Sequence, residues 1–205
     1  MADPDGGPLL DDSASPEVCR AVLAPAFARE PATRWICGDS RAVRERWFAA
    51  TLATQATLPG GRRTVLGGAS GEPVAAAVLT PPHTEPSLRA RASWALGTVR
   101  HCGPTATART LRYLRAAEPQ APPGAWTLEF LGVLPEQRGR GSARLLLDHV
   151  LDTLPAPGGV FLTTADPANE TLYHRFGFLT LRHLTTGPLT IAAMLRPGAA
   201  TGDTA

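Results

Sequence analysis

Residues 128–143 place an apolar strand, a basic glycine-rich turn and the start of a helix in immediate succession: Leu128-Glu129-Phe130-Leu131-Gly132-Val133-Leu134-Pro135-Glu136-Gln137-Arg138-Gly139-Arg140-Gly141-Ser142-Ala143. In such a turn successive backbone N–H groups converge on one spot. The helix that follows adds the partial positive charge of its N-terminus, and Arg138, Arg140 and Arg144 add full charges. The segment is an anion site, and a phosphorylated ligand is its natural occupant.

A chain of 205 residues suits one domain with a sizeable core, and 43% hydrophobic with 19% charged residues reads as globular. No apolar run approaches the roughly 20 residues that cross a bilayer, so no membrane partner is expected. Residues 1–15 carry Asp3, Asp5, Asp11 and Asp12 with no basic residue, the opposite of a secretory signal, which points to a cytoplasmic protein. A net charge of +2 is too small to indicate nucleic acid. All 20 basic residues are Arg, beside 20 Gly and 20 Pro, which reflects GC-rich codons rather than function. Cys19, Cys37 and Cys102 lack C-x-x-C spacing and read as free thiols. His83, His101, His149, His174 and His183 show no ligand spacing, so no metal is expected.

Apolar periodicity predicts a helix over 16–29, capped by Ser15 and kinked at Pro25, and a second over 41–58 after Asp39 or Ser40. Residues 63–66 and 74–79 read as a hairpin, and 84–117 as two helices broken at Gly103-Pro104. A strand over 126–134, too apolar to be half-exposed, leads into a helix over 141–154 with Leu145, Leu146, Val150 and Leu151 on one face. A strand at 160–164, a short helix at 168–176 and strands near 178–184 and 189–195 complete the pattern.

The turn is neither of the common nucleotide motifs. Position 144, where a third glycine of G-x-G-x-x-G belongs, is Arg, and a chain without Lys has no G-K-[ST]. A lone R-G-R without interleaved aromatics is also a poor nucleic-acid motif. The residues instead fit Q/R-x-x-G-x-G/A, as Arg138-Gly139-Arg140-Gly141-Ser142-Ala143 after a strand ending Gly132-Val133-Leu134-Pro135. On these residues the chain resembles the GNAT acyltransferases. A second segment, Asn169-Glu170-Thr171-Leu172-Tyr173-His174-Arg175-Phe176-Gly177-Phe178, is similar to the family's N-x-x-x-Y-x-x-x-G-F. Within the family the likeness is nearest to puromycin N-acetyltransferase and its bacterial relatives, through Glu30-Pro31-Ala32-Thr33-Arg34, a strand over 75–81 ending in Thr-Pro, and Trp126. The departures are a first strand barely visible before Pro16, Ala143 in place of a second turn glycine, and residues 83–118, which align with nothing and leave the acceptor open.

The resemblance implies an α/β (α+β) fold with a mixed central sheet, splayed at the cofactor strand, and helices on both faces. It implies a single domain over 15–197 between flexible tails 1–14 and 198–205. The implied activity is an acetyl-coenzyme A dependent N-acetyltransferase, in which a primary amine of a small molecule, an antibiotic or a biosynthetic intermediate, attacks the thioester directly. Leu131, Val133, Arg138, Gly139, Arg140, Gly141, Ser142, Ala143 and Asn169 would bind the acyl-coenzyme A, with the Val133 N–H polarising the thioester carbonyl. An alkylammonium with a pKa of about 10.4 leaves on the order of one molecule in a thousand nucleophilic at neutral pH, which costs roughly 4 kcal/mol of barrier. Glu129 is the candidate base that relieves this, and Tyr173 the candidate acid for the departing thiolate. A homodimer is expected only by analogy with the family. Two alternatives stay open: transfer of a longer acyl chain or to a peptide, and a non-catalytic acyl-coenzyme A binding module.

Overall fold

The computed structural model describes residues 9–198 except 69, 118 and 119. Among them, strands β1 (Leu10–Asp11), β2 (Arg62–Gly67), β3 (Pro73–Thr80), β4 (Trp126–Val133), β5 (Val160–Thr164), β6 (Leu179–Thr186) and β7 (Leu189–Arg196) form one sheet in the order β1-β2-β3-β4-β5-β7-β6. Only β4 and β5 run parallel; every other neighbour is antiparallel. The helices are α1 (Pro16–Ala26), α2 (Pro31–Cys37), α3 (Arg41–Gln55), α4 (Leu88–Cys102), α5 (Pro104–Ala117), α6 (Ser142–Thr153) and α7 (Pro167–His174).

The two larger cores back the sheet, one on each face. On one face Leu146, Leu147 and Val150 of α6 and Tyr173 of α7 pack with Leu79, Leu128 and Leu162. On the other, Val22 and Leu23 of α1 and Trp47, Phe48 and Leu52 of α3 pack on Val65, Ala76 and Val78. Phe27, Trp47, Phe48 and Phe130 meet there edge to face, with ring centroids 5.1–6.1 Å apart. The expected mixed sheet with helices on both faces is what forms.

Local chemistry sets the helix starts. The hydroxyls of Ser15, Ser40 and Ser87 accept from the backbone N–H three residues on, and Pro16 occupies the first turn of α1. Four expectations need correction. Residues 10–13, placed in the N-terminal tail, belong to the sheet: β1 pairs with β2, and Ser13 bridges to Arg63. Helix α2 was not expected, because its seven residues are too few to show a period. Helix α3 ends at Gln55 rather than 58. On α6 the buried face is Leu146, Leu147 and Val150, while Leu145 is 49% exposed. The remaining residues expected as tails, 1–8 and 199–205, lie outside the described residues.

Candidate active site

The sheet comes apart at its centre. Strands β4 and β5 pair only at Trp126 with Val160 and at Thr127 with Phe161, and then diverge. The expected splay at this strand is what forms: β3 pairs with β4 on one edge, and among the described residues no strand pairs with the other edge beyond Thr127. The strand is less buried than its apolar sequence suggested, with Glu129 exposed and Thr127, Phe130, Leu131 and Val133 half-buried. Backbone direction alternates along a strand. The Leu134 N–H donates to Val74 O on the β3 side at 2.9 Å, so the N–H groups of Val133 and Leu131 point the other way, into the gap. A cleft of about 300 Å³ opens there, lined by Leu131, Gly132 and Val133 on one side and Asp166, Asn169, Leu172 and Tyr173 on the other.

The basic turn closes one end of this cleft, and Arg138 and Ala143 line it. Gly139 and Gly141 take positive φ values of 77° and 84°, which L side chains rarely adopt, and nothing lies within 4 Å of where a Cβ would stand on either. Gly141 is the N-cap of α6 and supplies no capping side chain. By contrast Ser15, Glu30, Ser40, Ser87 and Asp166 cap α1, α2, α3, α4 and α7. The N–H groups of the first turn of α6 therefore have no capping side chain, and such groups are the kind an anion can satisfy. Arg138 donates to Ala26 O at 2.7 Å, Arg140 is exposed, and Arg144 pairs with Asp148 at 3.4 Å on the helix surface.

Tyr173 lies in the last turn of α7, 8% exposed, with its ring 5.4 Å from that of Phe178. Burial, followed by the nearby charge of Glu30, raises its phenol far above the ordinary value, so it keeps its proton. Glu30 caps α2, accepting from the Ala32 N–H at 3.1 Å and the Thr33 N–H at 2.6 Å. Burial raises its carboxyl, with those hydrogen bonds opposing and the charge of Asp166 reinforcing the shift. Tyr113, on α5, shares a hydrogen bond of 2.9 Å with Thr163 on β5. Its phenol is pushed up to about 12, by burial first and then by Glu30 and Glu129.

Glu129 is the extra residue of a β-bulge: Val78 pairs with Phe130 and Leu79 with Leu128, so position 129 falls between them. Leu128 belongs to the core under α6 and Phe130 to the core under α3, and the bulge carries Glu129 out to an exposed position within electrostatic reach of Tyr113. Of the residues singled out from sequence, Leu131, Val133, Arg138, Ala143, Asn169 and Tyr173 line the cleft. Gly139, Arg140, Gly141 and Ser142 form the turn and helix start at its end, and Glu129 stands two residues from Leu131 outside the lining. Glu30 and Asp166 also line the cleft; Glu30 was noted only for its place in the Glu30-Pro31-Ala32-Thr33-Arg34 likeness, and neither was assigned to the site. An acidic residue directly before a proline is a helix-start signal, and it was readable in both Glu30-Pro31 and Asp166-Pro167.

The three cysteines are free, and burial lifts the thiols of Cys19 and Cys37 to about 11 and about 12. Among the described residues no group of three or more His, Cys, Asp or Glu is placed to hold a metal ion, and no helix is long and apolar enough to cross a membrane.

Comparison with solved structures finds the same fold in several acetyltransferases. One titled histone acetyltransferase HPA2 and related acetyltransferase, from Corynebacterium glutamicum, is 22% identical with a TM-score of 0.71, over 95% of this chain and 98% of that one. A phosphinothricin acetyltransferase from Sinorhizobium meliloti, in complex with AcCoA, is 17% identical with a TM-score of 0.56, over 95% and 90%. The ribosomal-protein-S18-alanine N-acetyltransferase from Escherichia coli is 17% identical with a TM-score of 0.57, over 97% and 99%. No curated protein sequence matches the chain. The model of the Acetyltransferase (GNAT) family, whose members draw their acetyl group from acetyl-coenzyme A, matches residues 34–178, which contain β4, the glycine turn and α7. The chain belongs to the GNAT acetyltransferase family.

Proposed function

We propose that the chain transfers the acetyl group of acetyl-coenzyme A to a primary amine of a small molecule. One observation carries this reading: the uncapped start of α6, the cleft-facing edge of β4 and the buried phenol of Tyr173 all border one cleft. The backbone of Gly139, Arg140, Gly141, Ser142 and Ala143, with Arg138, would hold the diphosphate. Leu131 and Val133 would pair with the linear arm as a strand would, and Asn169 would border it from α7. Bound there, the co-substrate supplies an activated acyl thioester.

The residues of the chain do the rest. The Val133 N–H points into the gap and donates to an oxygen that gains negative charge. Tyr173, held protonated by burial, gives its proton to the leaving sulfur. Glu129, turned toward the α5 side by the bulge, takes the proton of the attacking amine directly or through a water. The fold shared with a phosphinothricin acetyltransferase and the sequence likeness to puromycin N-acetyltransferases support an antibiotic or a related biosynthetic amine as acceptor.

Thiol release from acetyl-coenzyme A with a panel of primary amines, set beside longer acyl-coenzyme A donors, tests the reading. Amine-dependent release that is fastest with the acetyl donor is the expected result. Tight binding of acetyl-coenzyme A with no release in the presence of any amine would overturn it in favour of a non-catalytic acyl-coenzyme A module.

A further inference from the structure

The cleft contains a carboxylate that the chemistry above leaves unused. Glu30 is half-buried beside Tyr173, and its two oxygens each accept one α2 N–H, which leaves further lone pairs on both. Among the described residues, no Arg or His forms an ion pair with it. A carboxylate removed from water without a cation is costly, and a ligand that brings a positive charge relieves that cost.

Two further observations mark what stands around it. Glu30 shares the cleft lining with Tyr173 and lies within electrostatic reach of Tyr113 as well, and Asp166, the N-cap of α7, adds a second carboxylate to the same lining. Tyr173 itself is more than nine-tenths buried yet borders the open volume. The lining thus carries both signs of charge, Arg29 and Arg138 with Glu30 and Asp166, and Tyr173 is its one phenol among the described residues.

We infer that Glu30 is a specificity-determining residue that receives the ammonium group of the acceptor and holds it beside Tyr173, selecting cationic primary amines. The inference rests on the proposed acetyl transfer but concerns binding, so it can be tested without turnover. Its chemistry is a charge-assisted hydrogen bond from the ammonium to a carboxylate oxygen already oriented by α2.

The test is calorimetric binding of benzylamine, tyramine and puromycin, each beside its neutral N-acetyl derivative, to the full chain loaded with coenzyme A. Glu30→Gln removes the charge, and Glu30→Asp keeps the charge and a capping carboxylate. The expected result is that Glu30→Gln weakens the bound amine by at least about tenfold and leaves its N-acetyl derivative and coenzyme A within about twofold, while Glu30→Asp retains most of the affinity. An equal loss for the amine and its N-acetyl derivative, unchanged amine affinity, or no amine binding to the wild type would each overturn the inference. Glu30-dependent amine binding without any thiol release would retain it and sink the acetyl-transfer proposal instead. Thiol release whose KM is indifferent to Glu30→Gln would do the reverse.

Discussion

Arg138 reaches out of the glycine turn and donates from Nη2 to the carbonyl oxygen of Ala26 at 2.7 Å, so one guanidinium ties the C-terminal end of α1 to the approach of α6. The Ala26 carbonyl is among those a helix end leaves without an intrahelical partner. Arg138→Ala should lower stability by about 1 kcal/mol in urea denaturation and weaken acetyl-coenzyme A by about tenfold in calorimetry. Full affinity in the variant would mean that this arginine only fastens α1.

The phenol of Tyr173 is the one part of that side chain the core does not need, because its ring already packs on Phe178. Tyr173→Phe should fold normally, bind acetyl-coenzyme A with near-wild-type affinity and lose about 10² in kcat for thiol release. Unchanged turnover would remove the acid role.

Asp is ordinarily a favoured N-cap, yet at the start of α6 it would put a carboxylate where the diphosphate is expected. Gly141→Asp should abolish acetyl-coenzyme A binding while leaving a folded protein. Gly141→Ala, which imposes only the left-handed strain at φ 84°, should cost about 1 kcal/mol and bind far better than the Asp variant. Calorimetry with both variants separates charge from strain.

Gly132 is where α1 comes closest to β4: a Cβ there would stand 2.9 Å from Leu23 Cδ2, 3.0 Å from Ala26 Cβ and 3.1 Å from Phe27 Cε2. Gly132→Ala should destabilise the fold by about 1 to 3 kcal/mol. Because Ala26 and Phe27 also line the cleft, it should weaken acetyl-coenzyme A as well. Urea denaturation and calorimetry on one preparation check both effects.

Asp12, directly after β1, is held to β2 through Thr64 at 2.8 Å and to α6 through His149 at 3.0 Å. Burial acts to raise its carboxyl, but the Thr64 hydrogen bond and His149 outweigh it and hold the group below the ordinary value of 3.8. A carboxyl lowered by folding stabilises the fold fully above its unfolded value and ceases to do so as pH falls through its folded one. The stability gap between wild type and Asp12→Asn should therefore be fully present above 3.8 and close as pH drops below it. Denaturation midpoints across that range read it.

Much of this arrangement was legible in the chain because it is local. Gly139 and Gly141 announce a turn that only glycine tolerates, and Ser15, Ser40 and Ser87 announce helix starts. What stayed hidden depends on partners. Leu145, Leu146 and Leu147 are equally apolar, and the position of β3 and β4 under α6 decides which of them is buried. The bulge at Glu129 exists only in register with β3, whereas the divergence of β4 from β5, which belongs to neither strand alone, was expected through the family resemblance. That Glu30 belongs to the cleft was hidden for a related reason. Its helix is too short to show a period, and its surroundings are assembled by α5 and α7 from far along the sequence.

The two-rung joint of β4 and β5 leaves a seam at the centre of the sheet, along the cleft. A ligand arm that threads the seam as a surrogate strand would supply the missing rungs, so occupancy and mechanical cohesion should rise together.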